Sequence, residues 1–238
     1  MQGLQKNPPS SNLKNGDDNM LIINGRILTM TGTDYEHGYL YSKGKTIKKV
    51  GDMKEFPETI REQCQKEKDQ VLDVQGAWVM PGLIDAHCHV GIAEEKWGAI
   101  GDDCNEVTTP VTPQIRALDG INPMDPAFHD AIQAGITSLM TGPGSSNVVG
   151  GQSVFMKVQG RCLDKMVVKA PAAMKIAFGE NPKVNYGDKD KMPGSRMAIA
   201  GMLREELYQA CQYEEKKKSG NINQGEEDFR MECWIPVL

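Results

Sequence analysis

The hydrophobic and polar positions follow one pattern up to residue 80 and another beyond it. Before that point, short runs of alternating apolar and polar residues are separated by the turn dipeptides Asn24-Gly25, Lys43-Gly44 and Gln75-Gly76. A period of two with such turns between the runs is typical of β-hairpins. The charged residues 57–70 interrupt the runs and indicate a helix. The pattern therefore predicts a small antiparallel β layer at residues 20–80.

Beyond residue 80 the patterns of helix and strand alternate. Asp125 followed by Pro126 is typical of a helix start, because aspartate caps the free N–H groups and proline fits the first turn. Residues 136–141 are an apolar run that predicts a buried strand. Ser195 is expected to cap a long helix with the apolar stripe Ile199, Leu203, Leu207 and Cys211. Strand, helix and strand in alternation predict βα units around a parallel sheet.

The last residues of the chain carry a further apolar stripe. Phe229, Cys233 and Val237, joined by Trp234 and Leu238, predict a final helix that buries these side chains. Pro236 is expected to kink it, because proline lacks the N–H that a helix interior requires. An apolar helical pattern at this place suggests that a further strand is missing.

One stretch, residues 77–90, is apolar almost throughout and then carries two histidines with a single residue between them. It predicts a buried strand that passes through Pro81-Gly82. Successive side chains of a strand point to opposite faces, so Asp85, His87 and His89 share one face and Cys88 lies on the other. Two imidazoles at this spacing can bind one metal ion, and zinc prefers such nitrogen ligands. Core histidines that bond to the backbone are the alternative interpretation.

Composition and charge narrow the class of protein. The 238 residues have a formal charge of −5 and are 39% hydrophobic, which is enough apolar sequence for a substantial core. The acidic balance argues against a nucleic-acid partner. No run of about eighteen apolar residues occurs, so we expect no membrane span. Six cysteines without paired spacing, and no secretory signal, predict a cytoplasmic protein.

Three parts of the chain are expected. Residues 1–19 are polar and contain Pro8-Pro9, so they are expected to form a disordered leader. Residues 20–80 are the β layer, and residues 81–238 are the α/β part.

The run Pro81-Gly82-Leu83-Ile84-Asp85-Ala86-His87-Cys88-His89 resembles the amidohydrolase superfamily, close to the imidazolonepropionase-related branch. The strand at 135–141, the Gly150-Gly151-Gln152 loop and residues 175–183 strengthen this resemblance, which covers roughly residues 20–238. It implies an α/β fold with a partial (β/α)8 TIM-type barrel, preceded by a small antiparallel β-sandwich layer. Members of the superfamily hydrolyse C–N bonds, often of cyclic amides, with a water that one or two divalent metals activate.

The resemblance also implies a role for particular residues. His87 and His89 match the first pair of metal ligands, at the carboxyl end of the first barrel strand. The expected metal is zinc, with iron or manganese as alternatives. Lys175 or Lys183 is the candidate for a carboxylated lysine that bridges two metals in some members. Asp85 is a candidate for a group that orients an imidazole, or else a carboxylate that caps a turn.

The same resemblance requires two later histidines and a general-base aspartate. The chain has only two other histidines, His37 and His129, and neither lies in a strand of the α/β part. The missing ligands are expected beyond Leu238, so the chain is interpreted as the N-terminal portion of an amidohydrolase.

Two functions follow as hypotheses. The first is a metal-dependent hydrolase of a small-molecule substrate. The alternative is a truncated, catalytically silent chain that acts as a folding or interaction module. In that case exposed strand edges and apolar faces would favour a homo-oligomer.

Overall fold

The computed structural model describes residues 19–67, 69–95, 97–223 and 225–238. The chain divides into two compact units, the first ending at Pro81 and the second comprising Gly82–Leu238. The leader expected at residues 1–19 lies outside the described residues, apart from Asn19. Among the helices that are described, none combines the length and the apolar character needed to cross a bilayer.

Among its described residues, the first unit contains a five-stranded sheet, one α-helix and one short 3-10 helix. Its elements are β1 (Met20–Ile27), β2 (Tyr35–Lys43), β3 (Thr46–Asp52), α1 (Glu58–Glu67), β4 (Gln70–Asp73) and β5 (Trp78–Val79). The strand order is β3-β2-β1-β4, and β5 also pairs with β1. The helix covers one face of the sheet and closes a core built from Leu21, Tyr39, Tyr41, Ile60 and Cys64.

The turn dipeptides of this unit do not all make hairpins. Lys43-Gly44 joins β2 to β3, as predicted. Asn24-Gly25 instead forms a bulge inside β1, where Asn24 has a φ of 60° and the Gly76 N–H donates to its carbonyl oxygen at 2.6 Å. Strands β4 and β5 both run parallel to β1, one on each side of this bulge. The layer is therefore antiparallel only in β1–β3. The dipeptide Asn24-Gly25 did not predict this, because a residue with positive φ occurs in bulges as well as in turns.

The second unit contains a four-stranded sheet, five α-helices and three short 3-10 helices among its described residues. The elements are β6 (Leu83–Cys88), α2 (Pro126–Gln133), β7 (Ile136–Thr141), β8 (Val149–Lys157), α3 (Leu163–Met166), β9 (Val167–Ile176), α4 (Glu180–Gly187), α5 (Arg196–Lys218) and α6 (Phe229–Glu232). Both predicted caps are confirmed, since the Asp125 carboxylate accepts from the Ala127 N–H and the Ser195 hydroxyl accepts from the Ala198 N–H.

Strand direction in this sheet departs from the prediction. β6 and β7 are parallel, with α2 in their connection, but β7–β8 and β8–β9 are antiparallel. The expectation of a parallel sheet is wrong there because only residues 142–148 join β7 to β8, and a parallel crossover needs about a dozen residues or more. Two reversals make β9 parallel to β6 again. The carboxyl ends of β6, β7 and β9 therefore lie at the same end of the sheet.

Strand β6 is less buried than its composition predicts. It forms one edge of the sheet, and Leu83 and Ile84 are 49% and 63% exposed. The apolar stretch is also not one strand, because it divides between β5 in the first unit and β6 in the second. The backbone at Gly82 lies against Thr137, where an added Cβ would be only 2.2 Å from the threonine methyl group. The close approach holds the start of β6 beside β7.

Two apolar clusters hold the second unit together. One joins β7 and β8 to α2 through Leu139, Val154, Met156 and Phe128. The other packs Val148 and Val149 against Ile199, Leu203 and Trp234. Burial of these side chains fixes the sheet between its helices and so fixes the strand ends at which the histidines lie.

Candidate metal centre

The two histidines of the edge strand lie next to each other in space. His87 is the second-last residue of β6 and is exposed, whereas His89 directly follows the strand and is half-buried. Their ring centroids are 5.4 Å apart, and the ring planes are inclined by 77°. Both imidazoles therefore emerge together at the carboxyl end of β6.

The ring of His89 is anchored by the backbone. Its Nδ1 lies 2.7 Å from the carbonyl oxygen of Gly142, the residue that follows β7. A carbonyl oxygen can only accept a hydrogen bond, so Nδ1 must carry the proton in this contact. The neutral ring then has its free lone pair on Nε2, the atom that can bind a metal.

The ring of His87 contacts Lys175. The lysine Nζ lies 2.9 Å from His87 Nε2. An ammonium group has donors only, so it donates to the lone pair of Nε2. Lys175 is near the carboxyl end of β9, which runs in the same direction as β6 on the far side of two intervening strands. The two side chains thus meet although β7 and β8 lie between their strands.

The other candidate lysine is placed differently. Lys183 is exposed on α4, and the described residues provide no hydrogen bond between it and either histidine. The sequence offered Lys175 and Lys183 as equal candidates, and the structure brings only Lys175 to the histidine pair.

Asp85 and Cys88 complete the end of β6. The Asp85 carboxylate accepts from the backbone N–H of His87 at 3.1 Å and so supports the local backbone rather than a ring. Cys88 is half-buried against the core between β7 and α2, and its Sγ donates to the Met140 carbonyl oxygen at 3.6 Å. Burial raises the pKa of its thiol above the ordinary value.

The remaining histidines lie elsewhere. His37 Nε2 is 3.0 Å from Asn24 Oδ1 in the first unit, and His129 is exposed on α2. Within the described ranges, no three or more His, Cys, Asp or Glu side chains are arranged to hold a metal ion. The donor set that the structure assembles is therefore two imidazoles with one lysine.

The loop between β7 and β8 is held by a buried polar network that the sequence did not reveal. Asn147 is buried, and its side-chain amide donates to the Glu106 carbonyl oxygen at 2.6 Å and to the Thr112 hydroxyl at 3.1 Å. The fully buried Tyr186 of α4 donates its hydroxyl to Asn147 Oδ1 at 2.6 Å. This network ties the loop that carries Gly142 to two other parts of the unit.

Replacing Tyr186 with phenylalanine should destabilise the second unit by about 1–3 kcal/mol, because Asn147 Oδ1 would lose its buried donor. Burial, and then the charge of Glu106, raise the pKa of Tyr186 to about 12. A raised pKa favours folding while the phenol is neutral, so this contribution is present below about pH 10 and is lost towards pH 12.

Urea unfolding at about pH 8 and at about pH 11 measures both effects. The Tyr186→Phe variant should lose less stability over this interval than the wild type. Tyr208→Phe is the matched control, since Tyr208 is 63% exposed on α5. An equal alkaline loss in the wild type and in Tyr186→Phe would contradict the assignment.

Comparisons with known proteins give relatives for the chain. No protein-family model matches it. The curated amidohydrolase tasK of Hapsidospora irregularis is 30% identical over 153 residues, which are 60% of this chain and 16% of that protein. The crystal structure of an amidohydrolase from Thermotoga maritima MSB8 matches with a TM-score of 0.79 and 36% identity, over 90% of this chain and 54% of that one.

The chain thus spans about half the length of this solved relative and a smaller share of the curated one. Neither likeness distinguishes the imidazolonepropionase-related branch from others. The sequence comparison and the structural comparison nevertheless both find amidohydrolases. In sequence and in fold the chain is therefore similar to amidohydrolases.

Proposed function

We propose that the second unit contributes part of the metal centre of a hydrolase that cleaves C–N bonds in a small molecule, such as a cyclic amide or an imidazolone-like ring. The observation that carries the proposal is the pair of imidazoles at the carboxyl end of β6, with Lys175 Nζ 2.9 Å from His87 Nε2. The similarity to amidohydrolases supports a hydrolase of this superfamily.

The residues present suit a divalent metal in their chemistry. Two imidazoles are typical zinc ligands, although the Lys175 ammonium occupies the lone pair of His87 Nε2 that a metal would use. We propose that His87 and His89 hold the ion, and that the partial barrel of the superfamily places them at its mouth. A metal bound there would lower the pKa of a water molecule and polarise the scissile carbonyl group.

We further propose that Lys175, rather than Lys183, is the carboxylated lysine. Once the Lys175 ammonium has lost a proton, its neutral amine can attack carbon dioxide: an N–C bond forms, one C=O π bond breaks with its electron pair going to oxygen, and a second proton leaves the nitrogen. The product is a carbamate with a single negative charge shared by its two oxygens. This reaction converts a cation that competes with a metal at His87 into a ligand for it.

Carboxylation of Lys175 is tested by adding ¹³C-labelled bicarbonate and zinc to the chain. The wild type should show a carbamate signal in the ¹³C NMR spectrum and should bind zinc about 10-fold more tightly with bicarbonate than without it. Lys175→Met should lose both effects. Lys183→Met is the matched control and should keep both. A bicarbonate effect that survives in Lys175→Met would refute the role of Lys175.

Hydrolysis itself is tested with hydantoin- and imidazolone-like substrates in the presence of zinc, iron(II) or manganese(II). Turnover that depends on metal and is lost in His87→Ala would support the hydrolase. The substrate class, the preference for zinc and the cytoplasmic location stay predictions from the sequence.

The alternative function is a catalytically silent chain that associates with itself. It is favoured by the exposed apolar side chains of Leu83 and Ile84 on the open edge of β6. Sedimentation over a range of protein concentrations tests it. Association that Ile84→Lys abolishes, together with an absence of zinc binding, would favour this alternative over the hydrolase.

A further inference from the structure

We propose that Gly142 is a positioning residue that fixes the tautomer and orientation of His89, and that its lack of a side chain is required because Ser153 occupies the adjacent space. The functional meaning of this positioning role rests on the proposed metal centre. The evidence for the role lies in the contacts where β7 ends.

The peptide group of Gly142 holds the end of β6 from two sides. Its N–H donates to the Cys88 carbonyl oxygen at 3.2 Å, and its carbonyl oxygen accepts from His89 Nδ1 at 2.7 Å. The preceding residue adds a third contact, since the Thr141 hydroxyl donates to the Val90 carbonyl oxygen at 2.8 Å. The backbone on both sides of His89 and its ring are thus held by the same two residues.

The space beside Gly142 is filled by the next strand. A Cβ at this position would lie 2.1 Å from the Oγ of Ser153 and 2.8 Å from its Cβ, both far inside contact distance. Ser153 is buried in β8, so its side chain has little room to move. The φ of Gly142 is outside the left-handed region, and its backbone conformation is therefore open to other residues. The requirement for glycine is one of space.

A side chain at residue 142 must therefore displace something. Either β8 moves away or the Gly142 peptide rotates, and we expect the rotation, which would take the carbonyl oxygen away from His89 Nδ1. Removing the Ser153 side chain should relieve most of the overlap, because the nearest remaining atom is then the Ser153 Cα at 3.3 Å, a tight contact that a shift of a few tenths of an ångström would accommodate. This pair of positions gives a rescue experiment.

The experiment measures the His89 tautomer by ¹⁵N NMR of the metal-free chain with labelled histidines, at a pH at which the imidazole rings are neutral. The wild type should show His89 with its proton on Nδ1. Gly142→Ala should shift the population towards the Nε2–H form, and Gly142→Ala/Ser153→Gly should return it to Nδ1–H. Ser153→Gly alone is the control and should keep the Nδ1–H form.

Zinc affinity provides a second readout. Gly142→Ala should weaken zinc binding about 10- to 100-fold, as expected when the group that orients a ligand is lost, and the double variant should recover. The inference is overturned if wild-type His89 carries its proton on Nε2, or if the folded double variant lacks the Nδ1–H form. If Gly142→Ala does not fold, the wild type and the double variant still decide the question. A wild type with the Nδ1–H form that binds no zinc would refute the metal centre and leave the positioning role standing.

Discussion

Replacing His89 with alanine should lower the zinc affinity of the chain by more than the roughly 10- to 100-fold that loss of an outer partner costs, because a direct ligand is removed. The His89 substitution is a stronger test than the His87 substitution, because the Nδ1 of His89 is hydrogen-bonded to Gly142 and its Nε2 is left free for a metal. Calorimetric titration of the metal-free chain with zinc measures the change. His87→Ala should also weaken binding, because His87 Nε2 is the second proposed ligand atom.

The matched control is His129→Ala. His129 is exposed on α2 and, like His89, belongs to the second unit, so its loss removes an imidazole without touching the strand end. Zinc affinity should not change in this variant. Equal losses in His89→Ala and His129→Ala would show that zinc binds to surface imidazoles in general, and the metal centre would have to be abandoned.

The position of the histidine pair could be predicted because it depends on local rules. An apolar run followed by two histidines one residue apart gives a strand end with both rings on one face, whatever the rest of the sheet does. The contact between His87 and Lys175 depends on two strand reversals that bring β9 back to the direction of β6. The short connection at residues 142–148 carries the signal for the first reversal, because it is too short for a parallel crossover.

The role of Gly142 could not be read from its residue type. A glycine in a glycine-rich loop is typical of mobility or of positive φ, and here it serves neither. Its carbonyl oxygen contacts His89, which is 53 residues away in sequence, and its Cα faces Ser153 of the next strand. Contacts of the backbone leave no pattern in the side chains, so only the structure could identify them.

The apolar stripe predicted for the last residues of the chain is wrong in most of its positions, because the helix there is too short. Helical spacing selects Phe229, Cys233 and Val237, but α6 ends at Glu232 and Phe229 is 71% exposed. Of the predicted stripe, Trp234 is buried as expected and packs in the cluster of Val149 and Ile199, and Met231, which the stripe did not include, is buried as well. A helix of one turn is too short for a helical period to decide which face is buried.

Replacing Trp234 with alanine should destabilise the second unit by about 3–5 kcal/mol, the cost of a large cavity in a packed core. The indole is fully buried, and its Nε1 donates to Glu206 Oε1 at 3.0 Å. Glu206 is itself 5% exposed, and its other oxygen accepts from Arg230 at 2.6 Å. The substitution therefore also deprives a buried carboxylate of one donor, which adds to the cost of the cavity. Urea unfolding followed by circular dichroism measures the loss.

Phe229→Ala is the matched control, because the helical stripe and the structure make opposite predictions for it. An exposed phenylalanine should cost within about 0.5 kcal/mol when truncated, whereas a residue of a buried stripe would cost several times more. Trp234→Phe separates the two parts of the tryptophan effect, since it retains most of the ring and removes the donor to Glu206. A loss of about 1.5–3 kcal/mol in that variant would assign a large share to the charged hydrogen bond. Equal losses in Phe229→Ala and Trp234→Ala would instead mean that the end of the chain packs as the stripe predicts, with Phe229 against the core.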